Sequence, residues 1–190
     1  VVEINLICDE SLNHKILLSF IHKCTVIDYG SKSIEVMENW EYEKYYKINS
    51  EENLEQLINT KIVCITEKAE EGYVGLNIEK IDDKFCYTMW FNQEKYELES
   101  EYHKLIEAVI IFISQRIKNQ LNLCTIGKEV VFEYQDDYNK LFASSHNIDI
   151  WIVLDNLFDF EKEITDSNLT KYEKCNIDKF VVLKDRKFDN

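Results

Sequence analysis

The stretch "YVGLNIEKIDDKFCYTMWFN", Tyr73 to Asn92, reads as a β-hairpin and decides the fold class. Every second residue from Val74 to Ile78 is apolar, which is the period of a strand with one buried face. The second half of the stretch is apolar on both faces, as expected of a strand in the centre of a sheet. Asp82-Asp83 separates the two halves as a turn. We therefore predict adjacent strands over residues 73–81 and 84–92.

The rest of the chain predicts further strands and helices in mixed order. Apolar-rich runs typical of strands occupy residues 2–8, 61–66, 128–134, 148–154 and 178–184. Helical spacing of apolar residues predicts helices after residue 11 and over residues 51–59, 102–121 and 137–145. Strands and helices that do not strictly alternate are typical of the α+β class. We predict one α+β domain over residues 1–190, with a mainly antiparallel sheet packed by a few helices, the longest near residues 101–121.

Turns and caps complete the predicted outline. "TVIDYGSKSIEVM", residues 25–37, has the pattern of a hairpin that turns around Gly30. Side chains that can cap a helix precede each helical segment. These candidate caps are Asp9 or Ser11, Ser50, Ser100 and Asp136.

Acidic residues outnumber basic ones throughout the chain. Asp and Glu total 36 against 22 Lys and Arg, for a formal net charge of −14. A field of this sign repels nucleic-acid backbones and anionic membranes, and it attracts basic proteins. We therefore expect a basic protein partner, no direct binding of nucleic acid and no membrane association. A general requirement for solubility is the alternative explanation of the charge.

The cysteines and the first residues favour the cytoplasm. The chain has 6 cysteines, and Cys8, Cys64 and Cys86 each lie inside an apolar run, without any CxxC pair. Such residues are typical of free thiols in a reducing compartment. "VVEINLICDE" lacks the basic segment and cleavage site of a signal peptide. The apolar run Ala108 to Ile113 is far shorter than the roughly 20 residues of a membrane span.

No catalytic or cofactor motif occurs in the sequence. The 4 glycines are not spaced to form either a GxGxxG motif or a P-loop. No HExxH pair is found among the 4 histidines. His14 and His22 lie about two helical turns apart, so they can share a helix face but cannot meet directly. We predict no catalytic residue, no metal and no cofactor.

Carboxylates around one apolar strand leave an enzyme as an alternative. Asp149, Asp155 and Asp159 flank an apolar strand end in "IDIWIVLDNLFDF", and His146 precedes it. Metal-dependent hydrolases often carry acidic ligands at such strand ends. Enzymes that act on phosphates also need positive charge, and only Arg116 and Arg186 supply guanidinium groups. A cytosolic metal-dependent hydrolase with an unrecognised site is therefore an alternative function.

Aromatic and acidic residues are crowded together in "ENWEYEKYYKI", Glu38 to Ile48. Alternation predicts a strand bent at Glu38-Asn39, with rings that face either the core or a partner. Trp and Tyr are enriched at interface hot spots, and carboxylates beside them steer a basic partner. A similar mixture recurs in "FEYQDDY" (132–138), where Asp136-Asp137 also suits helix capping. The predicted partner-binding residues are Trp40, Glu41, Tyr42, Glu43, Tyr45, Tyr46, Asp136, Asp137 and Tyr138.

An acidic α+β chain with aromatic–acidic clusters and no catalytic motif resembles the immunity proteins of bacterial toxin–immunity pairs. These include the immunity proteins of contact-dependent growth inhibition. The resemblance is one of overall character and extends along the chain. It implies a basic toxin domain as partner, often a nuclease acting on transfer RNA or DNA. It also implies inhibition by occlusion of the toxin's active site or an adjacent surface.

Two other binding roles fit the same sequence. A mimic of nucleic acid that blocks a DNA-binding protein needs carboxylates spaced like phosphates along one edge. A subunit of a housekeeping assembly needs a constitutive partner that is not toxic.

Overall fold

The computed structural model describes residues 1–41, 44–157 and 171–189. The first strands are β1 (Val2–Cys8), β2 (Ser33–Met37), β3 (Tyr45–Ile48), β4 (Ile62–Ala69) and β5 (Gly72–Ile81). They are followed by β6 (Lys84–Gln93), β7 (Leu121–Val131), β8 (His146–Leu154), β9 (Tyr172–Ile177) and β10 (Phe180–Asp185). The α-helices are α1 (His14–Cys24), α2 (Leu54–Leu57), α3 (Glu99–Phe112) and α4 (Tyr138–Ser144). A π-helical turn, Ile113–Ile117, continues α3, and single 3-10 turns lie at Glu94–Glu97, Asp155–Leu157 and Arg186–Asp189.

All ten strands belong to one sheet, in the order β3-β2-β4-β5-β6-β1-β7-β8-β10-β9. Every neighbouring pair is antiparallel, which confirms the predicted α+β class with a mainly antiparallel sheet. The hairpin predicted from residues 73–92 is present as β5 and β6, with Leu76 opposite Met89. β6 lies next to β1 near the centre of the sheet, as its apolar faces predicted.

Helices α1 and α3 cover one face of the sheet, called here the helical face. The apolar residues of the alternating strands point to this face, and the Phe20 ring on α1 lies 4.6 Å from the Phe112 ring on α3. Fully buried strand residues on this face include Ile4, Leu6, Val63, Ile65, Leu76, Ile78, Tyr87 and Met89. This layer holds the larger part of the described core.

The opposite face is covered in the C-terminal half of the sheet. There α4 packs on β8, and the Phe142 ring lies 4.1 Å from the Trp151 ring. Phe132 and Tyr134, in the segment after β7, pack against the same cluster. Over β5 and β6 this face carries polar residues such as Asn77 and Thr88. On this face the covering of the sheet therefore ends near the central strand, β1.

The longest helix ends earlier than predicted, because residues 121–127 form a strand. α3 and its π-helical turn stop at Ile117, and β7 begins at Leu121. β7 pairs with β1 on one side and with β8 on the other, and these ladders outweigh the helical spacing of the sequence. Gly127 permits a close approach of β8, since a Cβ atom there would lie 2.0 Å from the carbonyl oxygen of Asn147.

Two turns differ from the predicted ones. Residues 25–37 do not form a hairpin around Gly30; Ile27 makes an isolated bridge with Ala69, and β2 pairs with β3 and β4. Glu38 to Ile48 is not one bent strand, because the chain turns at 38–41 and returns as β3. The alternation of apolar and polar residues continues across that turn, so the sequence pattern did not indicate the turn.

The observed caps also differ from the candidates. Asn13 caps α1 by accepting a hydrogen bond from the Lys15 amide at 2.9 Å, so neither Asp9 nor Ser11 does so. At α4 the Asp137 carboxylate, instead of that of Asp136, accepts from the Lys140 amide at 3.3 Å.

Candidate partner-binding cleft

A cleft of about 350 Å³ opens on the face of the sheet opposite α1 and α3. It lies over β5, β6 and β1, between the turn that carries Trp40 and the segment 132–134. The cleft lies where the covering of this face ends: α4 and Phe132 cover the C-terminal half of the sheet, and the face over β5 and β6 is open. We call it the sheet-face cleft.

Aromatic rings form both walls of the sheet-face cleft. Trp40 is 45% exposed, and its Nε1 donates a hydrogen bond to Glu79 Oε2 at 2.8 Å. Phe132 and Tyr134 form the other wall and are half-buried. Tyr134 Oη donates to Asp136 Oδ1 at 2.9 Å, which fixes that ring at the cleft margin. Each wall therefore pairs a ring with a carboxylate.

The floor is a line of polar side chains across three strands. Thr88 Oγ1 on β6 donates to Asn5 Oδ1 on β1 at 2.7 Å. Asn5 Nδ2 donates in turn to Thr125 Oγ1 on β7 at 3.1 Å. Asn5 and Thr125 are buried, so these bonds satisfy groups that would otherwise be costly to leave unpaired. The strands of the cleft therefore present these hydrogen-bonded polar groups beside the apolar side chains of Ile7 and Ile81.

The charge of the cleft is negative. Glu79 and Glu133 line it, and no lysine or arginine is among its lining residues in the described part of the chain. Burial, and next the charge of Glu79, raises the pKa of the Cys86 thiol to about 12. Cys86 is therefore a neutral thiol at physiological pH, which argues against a nucleophilic role. The cleft suits a cationic group that also makes contact with aromatic rings.

The structure brings some of the predicted partner-binding residues together and separates others. Trp40 lines the cleft, and Asp136 holds its Tyr134 wall, although 94 residues of sequence separate Trp40 from Tyr134. Glu41 is exposed in the same turn as Trp40. Tyr45 and Tyr46 lie on β3, where they pair with Met37 and Val36 and so point to opposite faces of the sheet edge.

Of the four remaining predicted residues, only Asp137 is fully described by the structure. Asp137 caps α4. Tyr138 is the first residue of α4, and its side chain lies outside the described part of the structure. Tyr42 and Glu43 lie outside the described residues.

Sequence reasoning missed the residues of the cleft that lie on strands. Asn5, Glu79 and Thr88 are polar positions inside strongly apolar strands. Their polar character on one face of the sheet was a signal that the face is uncovered. Their meeting depends on the strand order and could not be read locally.

Asp149, one of the acids considered for catalysis, is a buried carboxylate bound by one buried and one exposed side chain. It is 4% exposed and accepts hydrogen bonds from Tyr102 Oη and Lys187 Nζ, each at 2.5 Å. Burial opposes the charge on Lys187, but the hydrogen bond and charge of Asp149 outweigh it and raise the pKa of that lysine. His146 is the first residue of β8 and Asp155 follows its last, so His146, Asp149 and Asp155 do not meet. Asp159 lies outside the described residues.

His14 and His22 do not meet, as predicted from their spacing, but a charged network links them. His22 Nε2 contacts Glu67 Oε2 at 2.5 Å, and His14 Nε2 contacts Glu51 Oε2 at 3.3 Å. Lys32 forms ion pairs with both carboxylates. A lysine therefore occupies the space between the two histidine–carboxylate pairs.

This network is expected to make stability depend on pH. The hydrogen bond from Lys32 lowers the pKa of Glu51 below its usual 4.5, despite partial burial. Its stabilising effect is complete above pH 4.5 and is lost as pH falls through the lower, folded-state pKa. We expect the difference in Tm between the native protein and Lys32→Met to shrink from about pH 6 to about pH 3 in thermal melts. Lys68→Met, at an exposed lysine outside the network, is the control; an unchanged difference would contradict the linkage.

The described residues, 1–41, 44–157 and 171–189, offer neither a metal site nor a membrane-spanning helix. No three His, Cys, Asp or Glu residues in these ranges converge to hold a metal ion. Within the same ranges no helix is both long enough and apolar enough to cross a membrane.

Comparison with known proteins gives no indication of function. The chain matches no protein family model, no curated protein and no solved structure.

Proposed function

We propose that this protein binds a basic protein partner in the cytoplasm through the sheet-face cleft and thereby inhibits it. The partner class that best fits is a basic toxin domain such as a nuclease, with this chain as its immunity protein. One observation carries the proposal: Trp40 and the 132–136 segment, far apart in sequence, flank one cleft that contains two glutamates and no base among its described lining residues.

Recognition would centre on a lysine or arginine side chain of the partner. Between Trp40 and Tyr134 such a cation would lie against aromatic rings, an arrangement that contributes about 0.5–2 kcal/mol. Glu79 and Glu133 would pair with its charge. The Asn5–Thr88 floor offers polar contacts at the base. Aromatic anchors surrounded by polar groups are typical of interface hot spots.

The charge of the whole chain supports the encounter. A net charge of −14 attracts a basic domain over distances beyond direct contact and raises the association rate. The cleft then sets specificity through a few short contacts. A toxin whose basic substrate-binding surface is covered in this way cannot bind nucleic acid.

The test is co-expression with the protein encoded beside this one. Growth is scored with the neighbour alone and with both proteins, and co-purification is measured at low and high salt. A toxic neighbour that becomes harmless and co-purifies in a salt-sensitive complex is the expected result. A neighbour that is harmless, or that does not bind, would reject it as the partner.

Trp40→Ala is expected to weaken the complex at least tenfold, since hot-spot truncations cost about 2 kcal/mol or more. The variant removes one cleft wall and the hydrogen bond to Glu79. Tyr29→Ala is the matched control, because Tyr29 is 90% exposed and lies outside the lining of the cleft. Calorimetric titration of the purified partner measures both affinities. Equal losses for the two variants would place Trp40 outside the interface.

A further inference from the structure

A second groove, of about 250 Å³, lies between α1 and α3 and has the opposite charge. Lys15 and Lys23 on α1 and Arg116 on the π-helical turn line it, and its lining includes no acidic residue within the described chain. The side chains of these three bases are exposed and form no ion pair with the described residues. In a chain with 36 acids, three uncompensated bases around one groove form a distinct electrostatic feature.

The floor of this groove is apolar and well packed. The Phe20 and Phe112 rings lie 4.6 Å apart, and both side chains are largely buried. Ile16 borders the floor and is 41% exposed. The groove therefore offers an apolar contact surrounded by positive charge.

Arg116 lies on the π-helical turn that continues α3, at the edge of the groove. Ile113 and Ile117 in that turn are buried at 3% and 1% exposure, while Arg116 is exposed. Single π-helical turns are frequent at functional sites. Here the turn keeps two isoleucines in the core and leaves the guanidinium group on the surface.

We propose that the groove between α1 and α3 binds an acidic segment of a second protein that also presents an apolar side chain. Carboxylates of that segment would pair with Lys15, Lys23 and Arg116, and its apolar side chain would contact Ile16. From Lys15 to Lys23 the helix rises about 12 Å, which matches a segment of a few residues. The net charge of the chain opposes an acidic ligand, but charges beyond about 8 Å are largely screened at physiological salt.

This inference is independent of the proposed function. The groove lies on the helical face, and the sheet-face cleft lies on the other side of the sheet. One chain can therefore hold a basic protein on one face and an acidic segment on the other at the same time.

The probe is a fluorescein-labelled peptide, Glu-Glu-Leu-Phe-Glu-Glu, titrated with the full chain and followed by fluorescence anisotropy. Two matched peptides replace either the four glutamates by glutamine or the Leu-Phe pair by Ala-Ala. We expect saturable binding of the first peptide, at least tenfold weaker binding of both others, and weaker binding as salt rises.

The test variant is the double substitution Lys15→Glu with Arg116→Glu, and the control is Lys104→Glu with Lys140→Glu. Both change the net charge equally, and the control lysines are exposed and outside the groove. At least a tenfold loss in the test variant alone supports the proposal, with circular dichroism to verify folding. Equal binding by both variants, or equal binding of the acidic and glutamine peptides, overturns it. Self-association of the chain that the test variant abolishes would also overturn it, because the occupant would then be a second copy.

Discussion

Replacing Asp149 with alanine is expected to lower the free energy of unfolding by about 1–3 kcal/mol, the usual cost of leaving a buried hydrogen-bonding group without its partner. Both oxygens of this carboxylate are engaged, one by Tyr102 Oη and the other by Lys187 Nζ. Its removal takes the acceptor from the buried Tyr102 hydroxyl and one ion-pair partner from Lys187, whose side chain is 59% exposed. Urea denaturation followed by circular dichroism measures the change.

Two further variants locate the origin of this loss. Asp155→Ala removes an exposed carboxylate from the turn after the same strand and is expected to change stability by no more than about 0.5 kcal/mol. Asp149→Asn retains one acceptor and the side-chain volume, so its effect is expected to lie between the two. A loss below about 1 kcal/mol for Asp149→Ala would show that water replaces the carboxylate at no great cost.

Reversing both charges of the sheet-face cleft, Glu79→Lys with Glu133→Lys, is expected to weaken binding of the basic partner at least a hundredfold. Two attractive contacts become repulsive ones, and such juxtapositions cost several kcal/mol. The Glu79 change also removes the acceptor of Trp40 Nε1. Surface plasmon resonance at two salt concentrations separates the association and dissociation rates.

A control must separate the effect of the changed net charge from the effect of changing residues inside the cleft. The control double variant, Glu52→Lys with Glu97→Lys, changes the net charge equally at exposed sites away from the cleft. We expect this control to slow association modestly and to leave dissociation unchanged. If the control weakens binding as much as the cleft variant does, the general field of the protein, and not the cleft, accounts for recognition.

The strands with one apolar face were predictable because burial on one side imposes a period of two. β1 has the predicted bounds, Val2–Cys8, and β5 and β6 differ by a single residue at one end. The helical pattern was extended to residue 121, where β7 begins, and residues 122–127 were assigned to no element, since an apolar run has no decisive period. The hairpin of β2 and β3 was missed because alternation continues through its turn.

The sequence indicated individual residues of the candidate site, but it did not show that they meet in one cleft. Trp40 and the 132–138 segment attracted attention through local composition. Their common cleft arises because β1 lies between β6 and β7, which brings strands from both halves of the chain to the same place. Glu79 and Glu133 each look like ordinary surface acids until that order is known. Non-local strand order is the information that a single sequence lacks.

The central position of β1 has a consequence for synthesis on the ribosome. The strand is translated before both of its neighbours, and the second of them, β7, lies more than a hundred residues later in the chain. After β6 is complete, roughly 40 more residues must be translated, which takes about 2–8 s at common elongation rates. Throughout that interval the nascent chain exposes the edge of an apolar strand, a known template for association between chains. A chaperone that holds this edge would therefore be most valuable before Leu121–Val131 leave the exit tunnel.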